Sequence, residues 1–151
     1  MLAKMVSDMM IKPGKSPVFE QPTDVDFENV EFQSSDGVTL RGWLLKGGTD
    51  KVIIQSHFGV QCSRAGYSPK GKGMITMSKG DISFLRQGKF LYDQGYSVLM
   101  YDLRNHGESN AGTCPWVSWG PEEARDVVAA VDYISGLPDY ASSSIGLLSI
   151  C

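Results

Sequence analysis

The chain reads as a doubly wound α/β domain, and three observations lead there. A hairpin signature opens the body, with strand-like segments at 30–33 and 38–45 on either side of Ser35-Asp36-Gly37. Short apolar runs at 51–56, 96–101 and 145–150 then alternate with helical periodicities at 81–94 and 121–136. The later runs are apolar on both faces, as strands are when helices cover a parallel sheet from both sides.

Taken in order, Leu2, Met5, Val6, Met9 and Met10 recur at helical spacing. A short N-terminal helix is expected, its adaptable methionine stripe packed on the body. Docking on a membrane surface or a partner is the alternative, but the Lys/Arg-rich polar face of surface-binding helices is missing. Pro13-Gly14, Pro17 and Pro22 turn the following residues into an extended leader. Residues 1–28 are therefore helix and leader, and residues 29–151 the domain proper. Gly47-Gly48 closes the hairpin. Residues 59–80 hold Arg64, Lys70, Lys72 and Lys79 without an acid, which reads as a long, solvated basic loop. Asp81 is expected to cap the next helix, with Phe84, Leu85, Gly88, Leu91 and Tyr92 on one face and Gly95 as the stop. Pro121 suits the first turn of the second helix, and Glu122 and Glu123 complement its dipole. Its expected buried stripe is Ala124, Val127, Val128, Val131 and Ile134, ended by Gly136 and Pro138.

The 151 residues, 42% of them hydrophobic, suffice for one domain with a core. A net charge of −3 argues against a nucleic-acid partner. No stretch approaches the ~20 apolar residues of a membrane span. Lys4 and Asp8 interrupt the N-terminal apolar residues, unlike a secretory leader. The three cysteines, Cys62, Cys114 and Cys151, form no metal-binding or paired spacing. Free thiols in a reducing, cytoplasmic setting are expected, with no metal or other cofactor implied. Gly66 to Gly73 resembles a phosphate-binding loop, but Gly73 replaces the Ser/Thr that would hold magnesium and no helix follows directly.

In sheets of this kind ligands bind beyond the carboxyl ends of the strands. Three segments sit there: Ser56-His57-Phe58-Gly59, Asp102-Leu103-Arg104-Asn105-His106-Gly107-Glu108-Ser109, and Ser149-Ile150-Cys151. Through these segments the chain resembles the first half of an α/β-hydrolase, from about Val30 to Cys151. The family carries a His-Gly loop, then D-x-R-G-H-G-x-S, then a G-x-S-x-G elbow. Here Phe58 stands in the first where Gly is commoner, Asn105 replaces the first Gly of the second, and Ser149 and Cys151 fall on the first Gly and the nucleophile of the third. The chain is similar to the dienelactone-hydrolase-like and acyl-CoA thioesterase/acyltransferase branches, in which the elbow can carry Cys.

The resemblance implies a partial hydrolase sheet, cut at the elbow, with later strands absent. It implies Cys151 as the nucleophile and His57, Phe58 and Gly59 as the oxyanion loop, with Phe58 or Gly59 donating a backbone N–H. A thiolate attacks acyl carbonyls well once deprotonated. The family's triad runs nucleophile, acid, His along the chain. His57 and His106, the two histidines, therefore precede the position of the base, and His106 suits a structural hydrogen bond in its turn. Asp102 and Arg104 are expected to hold turns, and Trp116 and Trp119 either to wall a pocket or to pack in the core or at a rim. The expected activity is hydrolysis of a small-molecule ester or thioester. The alternatives are acyl transfer to an amine or alcohol, or a non-catalytic fragment that self-associates or is complemented by a partner chain through an exposed last strand.

Overall fold

A computed structural model describes residues 1–59, 61–71 and 76–150. The hairpin forms β1 (Phe27–Gln33) and β2 (Thr39–Leu45), paired antiparallel from Phe27 opposite Leu45 to Gln33 opposite Thr39. Its turn uses Gly37 at φ +82°, where only glycine is free of a Cβ penalty. The strand β3 (Lys51–Ser56) follows. Three two-residue strands come next: β4 (Cys62–Ser63), β5 (Gly66–Tyr67) and β6 (Ile82–Ser83), forming a small antiparallel sheet of their own. The helix α1 (Leu2–Ile11) precedes all of these, and α2 (Leu85–Asp93), β7 (Ser97–Tyr101), α3 (Glu123–Gly136), a 3-10 turn at Pro138–Tyr140 and β8 (Ser144–Ser149) complete the chain.

The main sheet runs β1-β2-β7-β3-β8. β2 meets β7 antiparallel, whereas β3 lies parallel to both β7 and β8. Side chains alternate across it into two cores. Val30, Phe32, Leu40, Leu44, Val52, Ile54, Leu99 and Tyr101 pack under α3, with Ala130 and Ile134. Trp43, Leu45, Val98 and Met100 pack on the opposite face with Phe84 and Leu85 of the α2 side. β7, buried at all five residues, is the central strand. β8 pairs only with β3 among the described residues and leaves Leu147 exposed at the edge.

Four expectations are corrected. The stripe of α1 is not packed: Leu2, Met5, Val6 and Met10 are exposed, and among the described residues the hydrogen bonds from the body reach the helix at its C-terminal end, where Val117 N donates to Ile11 O and Trp119 Nε1 to Met10 O. Helix α2 begins at Leu85 rather than at an Asp81 cap, because Ile82 and Ser83 pair with Tyr67 and Gly66 as β6. The basic loop is solvated only in part: residues 61–68 are buried, Arg64 among them, whereas Lys70 and Lys79 are exposed. The buried face of α3 is rotated to Asp126, Ala129, Ala130 and Ile134, leaving Val128 exposed.

Asp126 faces inward because Arg104 is there. Its two carboxylate oxygens accept from Arg104 N at 2.9 Å, Nε at 3.0 Å and Nη2 at 2.8 Å. The same guanidinium reaches Asp36 at 2.7 Å, Glu122 at 2.9 Å and Ser34 Oγ at 3.1 Å. One fully buried arginine thus ties α3 to the hairpin turn. Arg104→Leu strands Asp126 as an unpaired buried charge and is expected to cost about 3–5 kcal/mol. The double variant Arg104→Leu, Asp126→Leu should recover part of that loss. Thermal melting of the three proteins checks it, and a single variant as stable as wild type contradicts it.

Candidate active site

The carboxyl ends of β3, β7 and β8 lie side by side, with Ser56 opposite both Tyr101 and Ser149. The ladder extends one step further, where Ile150 N donates to Ser56 O at 2.9 Å. Residues 57–59, the turn 102–109 and the peptide leading to Cys151 therefore converge at one edge. Cys151 itself lies outside the described residues, as do Lys72 and Gly73 of the loop-like glycine segment.

His57 is buried, with both ring nitrogens engaged. Nε2 accepts from Leu103 N at 3.1 Å, which puts the proton on Nδ1, 2.8 Å from Phe58 O. Burial, with His106 beside it, pulls its pKa down to about 3. Phe58 is half-buried and meets Phe84 edge-on, ring centroids 6.0 Å apart. Gly59 has no room for a side chain, since a Cβ would lie 2.7 Å from Val117 Cγ1.

The turn 102–109 is organised around Asp102, which has no solvent exposure. Its carboxylate accepts from Arg64 N at 2.6 Å, Glu108 N at 2.9 Å and the Arg64 guanidinium. Burial pushes its pKa up, while Arg64 and the two amides pull it back. Gly107, at φ +46°, lies directly over that carboxylate, so a Cβ there collides with it. Asn105, where the family has Gly, sits at φ +67°, a conformation Asn tolerates. Its amide also braces the turn, donating to Cys114 O and accepting from Gly112 N, both at 3.0 Å. Ser109 Oγ donates to Asp102 O at 2.6 Å and accepts from Arg41 N at 2.9 Å, fixing the turn to β2.

Sequence reasoning missed Arg64. It looked like one of several surface cations, but its guanidinium bonds Asp102 and Glu108 and stacks 4.6 Å over Trp43. Only the buried Asp102, which demands a cation, could have signalled it. Trp116 and Trp119 are both exposed rather than packed in a core, with Lys12 5.7 Å over the Trp116 ring. Cys62 is buried with its pKa pushed up to about 12 by that burial, and Cys114 is half-buried. Among the described residues no cluster of three His, Cys, Asp or Glu could hold a metal ion, and no helix is long and apolar enough to cross a membrane.

Comparisons with known proteins follow this geometry. No family model matches the chain. The esterase Pf2001 of Pyrococcus furiosus superposes with a TM-score of 0.71 at 26% identity, over 93% of this chain and 47% of that one. The sheet is the N-terminal part of an α/β-hydrolase fold. The α/β hydrolase GrgF of Penicillium sp. sh18, at 22% identity and a TM-score of 0.59, matches 84% of this chain and 38% of its own, and supports the fold alone. In sequence, the acyltransferase drtE of Aspergillus calidoustus is 28% identical over 127 residues, 83% of this chain and 35% of that protein. The chain thus spans about half the length of the esterase and about a third of the acyltransferase.

Two outcomes follow from the geometry. Because His57 is neutral when folded and its pKa is depressed, the unfolded chain binds the extra proton first. Stability is full above about 6.5 and falls as pH drops toward about 3, by at most about 1.4 kcal/mol per pH unit from this residue. His57→Gln should flatten that limb of a denaturation-versus-pH curve, and an unchanged slope would refute it. Gly107→Ala is expected to cost about 2–3 kcal/mol through backbone strain and collision with Asp102. Urea titration against Gly95→Ala, which is also at positive φ but meets nothing within 4 Å, separates collision from strain.

Proposed function

We propose that this chain carries the nucleophile half of an acyl-transfer site that hydrolyses small esters or thioesters. The single observation behind this reading is the Ile150–Ser56 hydrogen bond, which brings the peptide entering Cys151 beside residues 57–59. In this reading the Cys151 thiolate adds to the acyl carbonyl and expels the alkoxide or thiolate, which leaves with a proton. Water then cleaves the acyl-Cys intermediate and regenerates the thiol. Phe58 or Gly59 donates a backbone N–H to the oxyanion, with His57 holding the loop. Both nitrogens of His57 carry hydrogen bonds and both nitrogens of His106 lie against carbonyl oxygens, so the reading makes neither histidine the general base and takes base and acid from outside these 151 residues. No cofactor is needed.

The likeness to the acyltransferase supports a second outcome on the same intermediate, transfer to an amine or alcohol in place of water. A complementing chain on the β8 edge, or self-association there, fits the exposed Leu147. Cytoplasmic residence stays part of the proposal on the free thiols.

The test is acylation of the chain by p-nitrophenyl acetate, followed by mass spectrometry of the peptides. One acyl group on Cys151 is expected, with Cys62 unlabelled, and Cys151→Ala should abolish release of nitrophenol beyond background. Unchanged release from that variant would sink the assignment. A competing amine that captures the acyl group favours transfer over hydrolysis.

A further inference from the structure

His106 is 1% exposed, and both of its ring nitrogens face carbonyl oxygens. Nδ1 lies 2.7 Å from Arg104 O and Nε2 lies 3.1 Å from Gly59 O. A carbonyl only accepts, so each contact is a hydrogen bond only when that nitrogen carries a proton. A neutral imidazole has one proton for the two. The ring therefore divides it between its own turn and the loop after β3, and serves both at once only as imidazolium. Burial pulls its pKa down, against the two carbonyls and the charges of Asp102 and Glu123. The His57 ring meets it edge-on, centroids 5.1 Å apart.

The Gly59 contact has a mechanical consequence. His57 Nδ1–H already holds Phe58 O. Because the peptide unit is planar and trans, fixing that carbonyl directs the Gly59 N–H the opposite way. Glycine is the residue most free to swing about the next bond, and the His106 contact to Gly59 O restrains that swing. The two histidines thus hold two successive carbonyls, one on each side of Gly59.

We propose that His106 is a positioning residue for the acyl-transfer site, its Nε2–H holding the Gly59 carbonyl so that the Gly59 amide stays aimed at the oxyanion. This rests on residues 57–59 being the oxyanion loop. His106 touches no substrate and moves no proton in the reaction.

Two amide side chains separate its two contacts. Gln places a donor near the Nε2 position and keeps the hold on Gly59, whereas Asn places one near Nδ1 and keeps only Arg104. In isotope-labelled protein, the Gly59 backbone resonances are expected to shift in His106→Asn and to stay near wild type in His106→Gln. With p-nitrophenyl acetate, His106→Asn should slow Cys151 acylation about tenfold to a hundredfold at unchanged apparent KM, and His106→Gln should recover most of that rate. Gly59 resonances unmoved in His106→Asn, or moved equally in both variants, overturn the role of His106. Gly59 resonances that move without any change in rate overturn the oxyanion reading of the loop instead. Should both variants fail to fold, the ring nitrogen spectrum of wild-type His106 decides. Proton occupancy at Nε2 is expected, and a proton confined to Nδ1 refutes the proposal.

Discussion

The buried carboxylate of Asp102 is the constraint on which the site depends. A charge without solvent exposure is tolerable only where hydrogen bonds and a counter-ion replace water. Here Arg64 supplies the counter-ion and one amide, and Glu108 supplies another. Those demands shape three pieces of chain at once. Arg64 must come inward, which folds residues 62–67 into the small sheet instead of a solvated loop. The chain must bend tightly over the carboxylate, which only glycine at 107 allows. The bend then presents His106 to Gly59 and Ser109 to β2.

Electrostatics divides the labour between neighbouring residues of the same turn. Asp102 faces Arg64 and the small sheet, while Arg104, two residues on, faces Asp126 and Asp36. The Asp36 carboxyl is held well below the usual range by the Arg104 guanidinium. The turn is thus pinned toward both cores by ion pairs of opposite orientation. Such pairs contribute little net stability against an apolar replacement, but breaking one partner is costly. They act as a specification of geometry, setting where the turn sits relative to β3 and α3.

Much of this was legible in the sequence, and the failures are instructive. The hairpin, the three later strands and both internal helices follow from periodicity, because apolar burial decides them and periodicity records it. The α3 stripe was misplaced because Asp126 and Ala130 carry the buried face. A carboxylate looks like a solvent residue until its partner Arg104, 22 positions earlier, is known to be buried. Arg64 was hidden for the same reason, with its partner 38 positions away. The α1 stripe failed differently. Its Met and Val spacing is truly helical, but periodicity says which residues share a face, not whether anything covers it.

The cysteines of the described residues occupy different surroundings. Cys62 lies buried in the small sheet, and that burial pushes its thiol pKa up to about 12, which disfavours the reactive thiolate. Cys114 sits half-buried in a loop, its Sγ 3.8 Å from Trp116 O. Cys151 follows Ile150, whose amide donates to the carbonyl of Ser56, the residue before His57. Residues 57–59 and the turn 102–109 are tied together at that edge, through Leu103 N on His57 Nε2 at 3.1 Å and through His106 Nε2, 3.1 Å from Gly59 O.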